Sequence, residues 1–228
     1  MELQNALSGR LKQCLDLCYD NLSSNLRMLN VGCHNGSLEN HLSMLYKDVA
    51  FHACEIDSEK LFKERQWYAD NIYYTIASAL ALPYSSNEFD IVTTFDVIEH
   101  IPKSSEHIML REIWRVLKSG GTLLVSTPRR SLINNLTDPA WYFGHRHYSK
   151  KEINNFLQSA GFELVKYEVH GGVYEILDMW ILYIAKWIFK SEVPFWITKR
   201  LSLKANYKKA GKGGFASFIK ARKLQIFY

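Results

Sequence analysis

The run Asn30-Val31-Gly32-Cys33-His34-Asn35-Gly36 closes an apolar stretch and opens a helical one. A strand that must turn sharply into a helix while passing close to a ligand favours glycine, which lacks Cβ and accepts positive φ. Backbone N–H groups at the helix start then face that ligand. A dinucleotide fingerprint needs glycine at 32, 34 and 37; His34 and Ser37 stand there instead, so that reading fails at two of three positions. Glu55 ends the next apolar stretch about twenty residues on, where an acid can accept hydrogen bonds from both ribose hydroxyls. Three loop histidines, His100, His145 and His147, are candidate general bases near neutral pH. No metal cluster emerges from spacing. Cys14 and Cys18 lie one helical turn apart without a second pair. Asp90 and Asp96 sit at opposite ends of one strand, too far apart for joint ligation.

These groups need a scaffold, and the pattern supplies one. A helix over about 3–20 carries Leu3, Leu7, Leu11, Leu15 and Leu17 at roughly helical intervals. Strands are predicted at Arg27–Val31, Val49–Ile56, Ile72–Ala77, Phe89–Phe95, Thr122–Thr127, Phe162–Val169 and Phe215–Ala221. Helices are predicted at Ser37–Tyr46, at 59–67 with Ser58 as N-cap, at 104–117 and at Ser149–Ala160. Lys118–Gly121 reads as a turn and 128–148 as a loop. Alternating strands and helices imply a mostly parallel sheet covered on both faces. Ligands of such sheets bind at the carboxyl ends of the strands, and each motif above falls at one.

The 228 residues suit one α/β domain, and 47% apolar content fills a sizeable core. The net charge of +5 is uneven: residues 186–228 hold eleven Lys or Arg against Glu192 alone. Four cysteines, all within the first 54 residues, suit a reducing cytosol. Met1–Asn5 shows no basic region leading into an apolar run, so no signal peptide is expected.

Further motifs follow in order: Ala77-Ser78-Ala79-Leu80, Phe89-Asp90-Ile91-Val92 leading to Phe95-Asp96-Val97-Ile98-Glu99-His100, the Lys118-Ser119-Gly120-Gly121 run, and Gly144-His145-Arg146-His147-Tyr148-Ser149. Together these resemble the class I S-adenosylmethionine-dependent methyltransferases of the type 11-like group, over about residues 27–170 and the final strand. The resemblance implies a Rossmann-like α/β fold: a seven-stranded, mostly parallel sheet with helices on both faces, an antiparallel last strand and a helical insertion before it. It implies S-adenosyl-L-methionine as cofactor and S-adenosyl-L-homocysteine as product. The cofactor-binding residues it assigns are Asn30, Gly32, Cys33, His34, Gly36, Glu55, Ile56, Ser78, Ala79, Leu80, Phe95 and Asp96. In this chain Asn30 replaces the family's usual acid, His34 its middle glycine and Ser78 its adenine-binding acid. Glu55 would hold the ribose, Ile56 would pack on adenine, and Asp96 would approach the sulfonium or the substrate.

One domain is therefore expected over 1–228, with an N-terminal helical extension at 1–25 and an aromatic, basic lid at 171–212. In the family fold the connection between the last two strands emerges above the cofactor, where it would roof the acceptor. Aromatics beside lysines over 173–212 suit an anionic membrane surface. The expected acceptor is a small molecule, apolar, glycan or lipid-linked, and nucleic acid is not favoured. A cytoplasmic protein, peripheral at the membrane, fits this pattern. The alternative is a catalytically silent relative acting as a membrane-associated binding module.

Overall fold

In a computed structural model, residues 9–63, 69–172 and 214–225 are described, with positions 176, 177, 180, 181 and 184. The lid expected over 171–212 lies almost wholly outside them, as does the first part of the N-terminal helix.

The chain order is α1 (Gly9–Tyr19), β1 (Arg27–Val31), α2 (Ser37–Leu45), β2 (Ala50–Glu55), α3 (Ser58–Lys63), β3 (Ile72–Ile76), β4 (Phe89–Phe95) and α4 (Glu106–Val116). It continues with β5 (Leu117–Pro128), α5 (Leu132–Thr137), a 3-10 turn (Pro139–Phe143), α6 (Lys150–Ser159), β6 (Phe162–His170) and β7 (Ala216–Lys223). The seven strands form one sheet in the order β3-β2-β1-β4-β5-β7-β6. All pairings are parallel except those of β7, which runs antiparallel to both β5 and β6.

Alternation along each strand divides the core into two layers. Met28, Phe51, Leu124 and Phe218 face α1 and α2, packing on Cys14, Leu15, Cys18, Leu38 and Leu42. Leu29, Val31, Leu123, Val125 and Ile219 face α4 and α6, meeting Met109, Ile113, Ile153 and Leu157. Each such side chain contributes roughly 1.5–3 kcal/mol by leaving water. α6 starts on a capping box in which Ser149 and Glu152 satisfy each other's backbone N–H.

Three expectations shift. Helix α3 begins at Ser58, so Asp57 is its cap: its Oδ1 accepts from the Glu59 and Lys60 N–H groups at 3.0 and 3.3 Å. The predicted turn at Lys118–Gly121 belongs to β5 as an irregularity, with Phe89 opposite Leu117 but Ile91 opposite Thr122. Gly120 takes φ 75° there, and buried Lys223 donates to Leu117 O at 2.6 Å. The predicted loop 128–148 contains α5 and the 3-10 turn, each started by a side-chain cap. Ser131 Oγ accepts from the Asn134 N–H, and Asp138 Oδ1 from the Ala140 N–H. Both elements are too short to leave a helical period in the sequence.

Strand order reverses between β1 and β4, and there the carboxyl ends of the strands open into a crevice.

Candidate active site

The crevice is built from strand ends. Gly32, at φ 81°, and Cys33 donate their N–H groups to Cys54 O at 2.8 and 3.0 Å, which folds the loop over β2. A Cβ on Gly32 would collide with the Val97 methyl, so glycine is required for packing as well as for φ. His34 takes φ 52°, and its N–H reaches Glu55 Oε2 at 2.9 Å. Glu55 Oε1 accepts from the Ile56 and Asp57 N–H groups at 2.9 and 3.2 Å. Three of the carboxylate's roughly four acceptor directions are thus in use.

A cleft of about 710 Å³ opens around Glu55, lined among others by Gly32, Ile56, Ser78, Ala79, Leu80 and His100. Ile56 is exposed beside the acid. Ser78 Oγ accepts from the Leu80 N–H at 3.2 Å. A second cleft of about 230 Å³ lies under the glycine loop, lined by Arg10, Asn30, Cys33 and Ser37 among others. Gly32, His34, Phe95 and Asp96 line both clefts, so the two share a wall.

The smaller cleft carries opposite charges. Arg10 Nε lies 3.0 Å from Asp96 Oδ2, and Ser126 Oγ donates to Asp96 Oδ1 at 2.9 Å. Arg10 escapes sequence reasoning. Its only signal is a cation four residues before Cys14, on the buried face of α1.

Asn30, expected at the cofactor, lines the smaller cleft with its side-chain amide held by the fold. Its amide nitrogen donates to Glu39 and its oxygen accepts from Thr93 Oγ1 at 2.9 Å. Both Asn30 and Glu39 are buried. Burial pushes the Glu39 carboxyl up to about 7. The Cys33 thiol is also buried and raised well above its usual value, first by burial and then by Glu39, which makes it inert packing. Gly36, at φ 78°, lies against Tyr74 and lines neither cleft; its place is the helix start.

The three candidate histidines separate. His147 is 0% exposed, with Nδ1 on Asn135 Oδ1 at 2.9 Å and Nε2 on Asp138 Oδ2 at 2.8 Å. Both ring nitrogens are occupied, so His147 cannot take a proton from an acceptor and leaves the candidate set. His145 Nδ1 also faces Asp138 Oδ2, at 3.2 Å, while its Nε2 lies 3.9 Å from Glu99 Oε1. Burial opposes the Asp138 charge, but hydrogen bonds from both histidines and from the Ala140 N–H outweigh it and hold the carboxyl well below its usual range. His100 packs on His145 with ring centroids 4.7 Å apart and lines the larger cleft. Burial, then the neighbouring His145, lowers its pKa from the ordinary value of 6.5.

Glu99 is buried and accepts from Thr127 Oγ1 at 3.0 Å. Burial, then Asp96, raises its carboxyl to about 8. Arg146 donates to the carbonyls of Ile98 and Ile101 at 2.8 and 2.6 Å, fixing the loop that presents His100. Spacing gave no metal cluster, yet folding places ligand-type atoms of Glu99, His100 and His145 within 4.8 Å of one another. Asp138, His145 and His147 do the same, held by the hydrogen bonds above.

The profile of a family described as a methyltransferase domain matches residues 3–167. The chain is 32% identical over 120 residues to a mitochondrial ubiquinone biosynthesis O-methyltransferase of Candida albicans, covering 50% of this chain and 36% of that protein. It is 37% identical over 84 residues to a probable S-adenosylmethionine-dependent methyltransferase of Mycolicibacterium smegmatis, covering 36% of this chain and 32% of that protein. The chain thus spans less than half the length of these curated relatives. Among solved structures, a putative methyltransferase from Bacillus halodurans superposes with TM-score 0.65 at 22% identity, over 95% of this chain and 99% of the other. The [4+2]-cyclase SpnF superposes with TM-score 0.67 at 21% identity, over 93% and 81%. Likeness at this identity speaks to fold alone.

Proposed function

Because the chain belongs to the class I S-adenosylmethionine-dependent methyltransferase family, we propose that it moves the methyl group of S-adenosylmethionine to a small-molecule acceptor that is apolar, glycan or lipid-linked. The observation that carries this reading is the shared wall of the two clefts, with Glu55 on one side and the Arg10–Asp96 pair on the other.

The donor groups fit such a cofactor. Glu55 can accept ribose hydroxyls if one of its backbone bonds is shared, and the exposed Ile56 offers adenine an apolar surface. Arg10 and Asp96 match the carboxylate and ammonium of an amino-acid end. Bound there, S-adenosylmethionine supplies an already activated methyl group. What remains for the protein is proximity, in-line orientation and exclusion of water. For a hydroxyl acceptor His100 is the base: it faces the cleft, and its lowered pKa keeps it neutral near pH 7. His145, braced by Asp138, positions it.

The acceptor class is inferred from the aromatic and basic residues of 173–212, which suit an apolar or lipid-linked substrate at an anionic membrane surface. No helix among the described residues is long and apolar enough to cross a membrane. Calorimetry with S-adenosylmethionine and S-adenosylhomocysteine tests the cofactor, and a labelled-methyl screen over lipid, quinol and glycan acceptors tests the reaction. Binding of neither compound overturns the reading. Binding without turnover on any acceptor leaves the silent binding module.

A further inference from the structure

Helix α5 is turned inside out. Its apolar residues Leu132, Ile133 and Leu136 are 77, 64 and 59% exposed, while its polar Asn134 is buried. Asn134 Nδ2 donates to Arg129 O at 2.8 Å, with Gly214 O and Phe215 O each at 3.4 Å, so the ends of β5 and β7 hold this orientation. A short amphipathic helix that packs for stability presents the opposite face to the core. Here the fold uses hydrogen bonds to keep three aliphatic side chains in water. Tyr142 extends the patch from the 3-10 turn: it is 66% exposed, and its hydroxyl lies 3.4 Å from Leu136 O. Contiguous exposed apolar surface of this kind marks an interaction site.

Charge identifies what the patch meets. A cleft of about 500 Å³ adjoins it, lined by Lys103, His107, Arg130 and Arg146 with Trp141 among others. Arg130 immediately precedes the α5 cap, and Trp141 belongs to the same 3-10 turn as Tyr142, so cleft and patch share their framework. Two acids also line the cleft, and both have partners: Glu152 with Arg130 at 2.7 Å and with Ser149, and Glu106 with the Tyr148 hydroxyl at 2.9 Å and Arg146 at 3.6 Å. Lys103 is exposed and in excess, leaving the cleft net cationic.

Pro128, Ala216 and His170 stand level across β5, β7 and β6, so the connection between β6 and β7 leaves and re-enters the sheet at this rim.

We propose that the α5 face and its neighbouring cationic cleft dock the protein on an anionic lipid bilayer. Leu132, Ile133 and Leu136 enter the acyl boundary, the aromatic residues sit at the interface, and Lys103 meets lipid phosphate. The choice of a bilayer rests on the lipid-linked acceptor reading above; the exposed face does not.

The test uses the full chain in co-sedimentation with vesicles of phosphatidylcholine, with and without phosphatidylglycerol, at low salt. Wild type binds the phosphatidylglycerol vesicles. The double variant Leu132→Glu, Ile133→Glu loses at least tenfold in binding, and Lys103→Gln narrows the preference for the anionic vesicles. The proposal is overturned if wild type binds neither vesicle, or if the double variant binds like wild type. It is equally overturned if light scattering shows a wild-type dimer that the double variant dissolves, since a second copy then covers the face. S-adenosylhomocysteine calorimetry on wild type and double variant keeps the failures apart. Equal binding shows an intact fold, and absence of binding from both sinks the methyl-transfer reading while the vesicle result stands by itself.

Discussion

Asn30 and Glu39 hold one another beneath the glycine loop, the Asn30 amide donating to a carboxyl that lies fully buried at the base of α2. A charged carboxylate is costly there, and burial raises Glu39 to about 7 from an ordinary 4.5. The folded chain keeps this proton where the unfolded chain has released it, so stability from this group falls as pH rises from 4.5 to about 7. Glu39→Gln stays neutral and keeps an oxygen for Asn30. Above pH 7 it is more stable than wild type by roughly 3 kcal/mol, and at pH 4 the two match. Urea denaturation at both pH values measures the difference; equal stabilities at high pH would show the carboxyl already ionised.

Arg10→Ala tests the smaller cleft. Losing a charge-assisted contact of about 1.5–3 kcal/mol weakens S-adenosylhomocysteine binding roughly tenfold to hundredfold. Arg10→Lys recovers part of this, since a point charge replaces a planar fork. Calorimetry gives the ratio, and unchanged affinity in the alanine variant removes Arg10 from the site.

The histidine pair makes a pH prediction. With a hydroxyl acceptor, His100→Gln lowers kcat by roughly 10²–10⁴-fold with little change in cofactor affinity. The acid limb of the wild-type kcat profile lies below pH 6.5, because burial and His145 depress the His100 pKa. His145→Gln removes one of those two causes, so the limb moves up in pH. A limb that stays in place assigns His145 a purely structural role.

Gly32→Ala forces a side chain into φ 81° and against Val97. The cost is on the order of 1–3 kcal/mol. Thermal denaturation would show it directly, and an unshifted midpoint would mean that the loop can open away from Val97.

Much of the frame was legible before the fold. Strands β1 and β4 have the bounds their β-branched and apolar runs predict, since central strands buried on both faces leave an unbroken signal. Glu55 ends β2 as its place in the sequence predicts, because a strand end is a position that sequence can count to. His145 and His147 could not be told apart, being equivalent loop residues two apart. They separate only because Tyr148 joins the end of β5, where its N–H meets Pro128 O and the Arg130 N–H meets its carbonyl, and His147 is turned inward onto Asp138. Asp138 itself reads as a turn residue before Pro139, and nothing in its spacing announces two histidine partners. The outward face of α5 was equally hidden, because six residues are too few to show which side of a helix is anchored.

The place of β7 governs when the sheet can close. Among the described residues β6 joins the sheet through β7 alone, and β7 is the last strand in chain order. During synthesis β6 has no strand partner, and β5 keeps an open edge, until residues 216–223 are made. Throughout that interval an unpaired central edge is available to other chains. The step that ends this exposure brings Lys223 beneath Trp114, 3.9 Å from the ring centre. Pairing of β7 therefore closes the β5 edge and joins β6 to the sheet in the same step.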